Sequence, residues 1–301
     1  KDAGIWREFN TATKQFVEGG FSLAEAKSNV SWLDENTLMV GTDLGVASLT
    51  SSGYPRTAVR WERGKPLAMA PVVLEGETTD VGVAVIVEHD GNERHVFGSR
   101  SPSFFERLHF YQNVSGRFDP LPLPRNADYS GVLHGRAIFL LREGWRFANR
   151  DYPQGAIIAY DLKHGSAELV MAAADNQSIE QIGVGESSIV VAYLNDVAGK
   201  AVRFTRDGAT GHWGRHEMNL PGNGAVAITS AGGGTDVALL SFESLTVPDS
   251  LYFAAGRDDV EKITAAPAFY DATDVVVEQR FATAKDGTSV PYFIMGKQAV
   301  L

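Results

Sequence analysis

The stretch LREGWRF, residues 141–147, sets Arg142 and Trp145 in a connection between two apolar strand patterns. From such a loop a guanidinium can donate to a peptide carbonyl while an indole packs on a substrate side chain. The competing reading is structural: rings packed between sheets, with the arginine stem laid along them. Other residues offer less. His212 and His216 stand at i, i+4, a spacing that grips zinc from a helix, but glycines at 208, 211 and 214 point to a loop or an outer strand. Gly222-Asn223-Gly224 is not followed by a helical pattern, as a dinucleotide fingerprint requires, and Gly183-Val184-Gly185 lacks the P-loop lysine. Asp271, Asp274 and Glu278 lack the loop spacing of a calcium site and read as a solvated face. No metal and no cofactor is expected.

Those residues sit among short alternating strands punctuated by Gly, Pro, Asn and Asp. Residues 81–88 and 93–98 flank an Asp-Gly turn and read as a hairpin; residues 137–142, 156–162, 187–194, 201–204, 236–242 and 250–254 read as further strands. Only residues 22–27 suggest a helix, of one to two turns. The class is all-β. Comparable apolar starts recur at Val30, Val81, Gly131, Gln181 and Val226, at roughly 50-residue intervals that each hold about four strands, the repeat of a propeller blade. A pair of β-sandwiches is the alternative. The count gives five fairly complete blades and one partial blade at the start.

The chain has 301 residues, 44% hydrophobic and 21% charged, with a formal net charge of −10 and no cysteine. The acidic balance and the lack of a basic run argue against a nucleic-acid partner. No apolar run approaches the roughly 20 residues of a membrane helix, so no membrane partner is expected. Without cysteines there are no disulfides and no thiolate chemistry, which fits a reducing compartment; a cytoplasmic location is expected. The first residues carry neither an initiator Met nor an apolar leader, and residues 5–9 already read as strand. The chain is therefore expected to begin inside a structure.

Four stretches carry a resemblance. VEGGFSLAEAKSNVSWLDENTLMVGTDLG with SGYPRTAVRWERGKPL, then VVAYLNDVAGKAVRF, then LLSFESLTVPDSLYF, and finally VVEQRFATAKDGTSVPYFI occur in the order of the propeller of prolyl oligopeptidases. The chain thus resembles the N-terminal β-propeller domain of that serine peptidase family. The resemblance implies a seven-bladed propeller capping an α/β-hydrolase domain, with short proline-containing peptides as substrates, cleaved after proline. It implies residues 1–278 as propeller and residues 279–301, a hairpin around Lys285-Asp286-Gly287-Thr288, as the start of the hydrolase. The sequence departs from the family in lacking a Gly-x-Ser-x-Gly elbow; Gly20-Phe21-Ser22-Leu23-Ala24 has no closing glycine. No catalytic residue can be assigned within the chain, so it is expected to be inactive without its hydrolase domain. Arg142 and Trp145 become candidates for the substrate channel. An incomplete propeller would expose blade edges, through which a dimer could form. A stand-alone interaction propeller is the other functional reading.

Overall fold

Period-two patterning produces an antiparallel, all-strand molecule. The computed structural model describes residues 2–232, 234–256 and 260–301. The chain opens with β1 (Gly4–Arg7), the small hairpin β2 (Phe9–Asn10) and β3 (Gln15–Phe16), and β4 (Ser22–Ala26), which pairs antiparallel with β1. Residues 22–26 are thus strand where a helix was expected over 22–27. The reason is burial: Phe21 and Leu23 point inward at 6% and 4% exposure while Ser22 and Ala24 point out, a period of two that five residues cannot distinguish from a helical stripe.

Five four-stranded sheets follow, each with its strands ordered as they occur in the chain. The first holds β5 (Asn29–Asp34), β6 (Thr37–Gly41), β7 (Thr57–Glu62) and β8 (Val72–Glu75). The second holds β9 (Gly82–Asp90), β10 (Glu93–Ser101), β11 (Leu108–Gln112) and β12 (Phe118–Pro120). In the third, β13 (Ala127–Leu133) and β14 (Arg136–Leu141) are separated by a side hairpin, β15 (Trp145–Phe147) and β16 (Arg150–Tyr152), from β17 (Ala156–Asp161) and β18 (Ser166–Ala172). The fourth comprises β19 (Gln177–Val184), β20 (Ser188–Asn195), β21 (Ala198–Arg206) and β22 (Trp213–Glu217). The fifth comprises β23 (Gly224–Ala231), β24 (Ala238–Ser244), β25 (Ser250–Ala254) and β26 (Val260–Ala265). A separate hairpin ends the chain, β27 (Val275–Thr283) and β28 (Ser289–Lys297).

The chain divides into two compact units, residues 1–128 and 129–301. In the first, Met39 and Ala58 of the first sheet pack against Val83, Val85 and Val96 of the second. In the second, β20 explains how one strand serves two cores. Its run Ile189-Val190-Val191 alternates faces, so Ile189 and Val191 join a cluster with Ile138 and Ile157 of the third sheet. Val190 joins Leu240 and Phe242 of the fifth. Each such fully buried aliphatic side chain contributes roughly 1.5–3 kcal/mol. Gly183, in the supposed P-loop stretch, instead permits close packing: a Cβ there would lie 2.4 Å from that of Ala231.

Candidate functional site

In a four-stranded meander the second-to-third connection and the link to the next sheet leave from the same end. In the second unit that end gathers the notable side chains. The β15–β16 hairpin is the second-to-third connection of the third sheet, closed by Ala148 and Asn149 at φ 48 and 62. This side hairpin fills the connection in which the sequence placed Arg142 and Trp145. Arg142 and Trp145 part company there. Trp145 is 9% exposed, stacked on Phe147 at 4.7 Å between ring centroids and 5.3 Å from Tyr152, so its ring holds the hairpin together as packing would predict. Arg142 is exposed and lines a pocket of ≈ 340 Å³ with Gln154, Asp175, Gln177 and Ser178. Gln177 is fixed there, its amide donating to Asn195 Oδ1 at 2.9 Å and its carbonyl oxygen accepting Ala174 N–H at 3.2 Å. Guanidinium, carboxylate and amides around one opening suit the backbone of a peptide, which needs both donors and acceptors.

The terminal hairpin lies against the same end of the fourth and fifth sheets. Gln279 Nε2 donates to Asp196 O, and Asn223 Nδ2 donates to Val277 O at 3.0 Å. Tyr270 Oη donates to Leu245 O and stands 3.7 Å from Met295 Sδ. Asp196 and Val197 form the two-residue turn of β20 and β21, both left-handed at φ 46 and 65, an unusual conformation for a β-branched residue. The hairpin turn itself is the expected one: Gly287 at φ 87 follows a turn closed by Gly287 N–H to Ala284 O at 3.0 Å. Its strands begin at Val275, before the position 279 suggested by sequence. Exposed apolar groups lie on both faces, Phe281 and Met295 on one and Val290 and Tyr292 on the other. Sequence reading missed Asn223, Gln279 and Tyr270; their only local signal was polarity within loops and an edge.

Two arginines on β21 join the sheets toward their other end, where β20 opens at Ser188. Arg206 makes a bidentate pair with Glu168 of β18, at 2.8 and 2.7 Å, and Trp213 Nε1 donates to the same carboxylate at 3.0 Å. Burial pushes the Glu168 carboxyl up, but the bonds from Arg206 and Trp213 outweigh it and leave it below its ordinary value. Arg203, 2% exposed, donates to Ser188 Oγ at 2.6 Å, Asp236 O at 2.8 Å and Ala254 O at 3.2 Å. The Asp236 carboxylate accepts from Ser188 Oγ and Ser187 N at 2.8 and 2.9 Å; burial raises this carboxyl, and the serine bonds carry it below the ordinary range. His216 lies on β22 and His212 just before it, so their spacing is not helical.

Comparison with known proteins fits this architecture. The family description "Prolyl oligopeptidase, N-terminal beta-propeller domain" matches residues 1–265. An uncharacterized peptidase of Sinorhizobium fredii is 34% identical over 314 residues, covering 100% of this chain and 43% of its own length. Another, of Rickettsia prowazekii, is 25% identical over 322 residues, covering 100% and 44%. A post-proline cleaving enzyme from Rickettsia typhi has the same fold, with a TM-score of 0.84 and 23% identity over 99% of this chain and 46% of that one. The chain belongs to the prolyl oligopeptidase family, as its N-terminal β-propeller domain. It spans less than half the length of the curated relatives it matches.

Proposed function

We propose that this chain is the gating propeller of a serine endopeptidase that cleaves short peptides on the carboxyl side of proline. The observation that carries the reading is the family match over residues 1–265, joined to a terminal hairpin with apolar residues on both faces. A two-stranded sheet of that kind is unstable alone and calls for neighbours on its edges and faces. Residues 279–301 are read as the opening strands of the α/β-hydrolase domain, and residues 1–278 as propeller. The pocket beside Arg142 contacts the backbone of the entering peptide, and Trp145 packs within the hairpin that rises between Arg142 and Gln154 of the pocket rim. The Ser-Asp-His triad belongs to the hydrolase domain, with serine attacking the carbonyl and histidine acting as base. The chain alone is inert toward proline-containing fluorogenic peptides, and turnover by it would overturn that assignment. The protein acts in the cytoplasm.

Among the described residues β1 pairs only with β4, and all four of its residues are exposed. This open edge is where two copies of the isolated chain pair. Sedimentation detects the dimer, and Arg7→Pro, which removes an outward-facing edge donor because Glu8 N–H points to Phe21 O on the β4 side, returns it to monomer; association unaffected by that change would sink the edge reading.

A further inference from the structure

The connection from β10 to β11 presents Phe104 and Phe105 at 89% and 87% exposure, adjacent rings that meet no other aromatic ring among the described residues. The loop is nevertheless held in shape. Ser103 Oγ accepts from the amides of Phe105 and Glu106 at 3.4 and 3.2 Å. Arg107 N–H donates to Arg125 O at 2.7 Å, and Arg125 pairs with Glu106 at 3.5 Å. An ordered loop that keeps two phenylalanines in water has the character of a contact awaiting its partner. We propose that residues 102–107 are a docking clamp for the domain that follows the terminal hairpin in the longer protein.

Two observations select that occupant. First, this is the second-to-third connection of the second sheet. In the other unit, connections of that type receive the chain's departing segment: Asp196 O accepts from Gln279 of the terminal hairpin, and Leu245 O accepts from Tyr270, just before it. The end of a sheet that bears these connections is therefore the end this protein covers with what comes next. Second, the relatives are more than twice as long as the matched portion, which covers 43% and 44% of them. Two adjacent aromatic rings are the kind of anchor that dominates an interdomain contact when buried. The inference rests on the hydrolase reading of the hairpin, and it adds the residues by which the first unit holds that domain.

The test compares the chain alone with the chain joined to the sequence that follows it in its gene. Hydrogen exchange of amides 103–107 slows by about tenfold or more in the joined protein if the clamp is engaged; equal exchange overturns the proposal. Phe104→Ser combined with Phe105→Ser leaves the melting temperature of the chain alone unchanged, because both rings are exposed. In the joined protein it accelerates proteolysis at residues 266–274, and an unchanged rate counts against the clamp. Hydrolysis of a proline-containing peptide by the joined protein reads the peptidase assignment separately. Protection without hydrolysis supports the clamp and sinks the peptidase. Hydrolysis without protection sinks the clamp and leaves the peptidase standing.

Discussion

Arg203 and Arg206 lie three residues apart on β21, so they point to opposite faces of one strand and meet opposite neighbours. Arg206 reaches the third sheet and finds a carboxylate in fork geometry; Arg203 reaches the fifth sheet and finds a hydroxyl and two main-chain carbonyls. The first is a partly solvated ion pair with its counter-charge in contact. The second is a buried cation linked to the Asp236 carboxylate through Ser188, and its Nε has no partner among the described residues. Burial accordingly pulls Arg203 below its ordinary pKa against the opposing pull of the Asp236 charge, whereas the Glu168 bonds raise Arg206. The same residue type thus serves two seams by different physics. The seam toward the fifth sheet rests on a fully buried cation with no carboxylate in direct contact and is the more sensitive to any loss.

The largest effect should follow from Arg203→Ala, which empties the space of a fully buried side chain and leaves the carbonyls of Asp236 and Ala254 without their donor: a loss of about 3–5 kcal/mol in urea unfolding. Arg206→Ala leaves Glu168 partly solvated and still bonded to Trp213, and should cost about 1–3 kcal/mol. Equal losses would break the comparison.

Acid sharpens it next. Glu168 and Asp236 both have folded pKa values below their ordinary 4.5 and 3.8. The stability they confer is complete above those ordinary values and disappears as pH falls through the lower folded ones. Urea midpoints of the wild type should therefore drop between pH 5 and pH 3, within the carboxyl range, and Glu168→Gln should flatten part of that drop. A wild-type midpoint independent of pH there would remove the ionic account of both seams.

A smaller, opposite effect is expected at Val197. Glycine adopts its left-handed backbone without strain, so Val197→Gly should stabilise the chain by about 1 kcal/mol. Loss of stability would mean that the valine side chain contributes more than its backbone costs.

What the sequence revealed depended on how local the cause was. The hairpins at Asp90-Gly91 and Asp286-Gly287 were legible because the turn residues themselves set the backbone, and the strand runs because their alternation is intrinsic. The strand at residues 22–26 was not, since β1 supplies its partner from across another hairpin. Arg142 was placed correctly in a connection, but the β15–β16 pairing within that connection and the burial of Trp145 depend on Phe147 and Tyr152 packing on its ring. Arg206 gave no sign at all, because Glu168 lies 38 positions away. Composition and spacing cannot report a contact whose two halves meet only when sheets stack.

The most direct measurement is substrate selection by the joined protein. A proline-containing peptide of a few residues should be cleaved after proline, while the same site in the exposed loop of a stably folded protein should survive. Cleavage of both at similar kcat/KM would contradict the proposal that this propeller gates access to the active site.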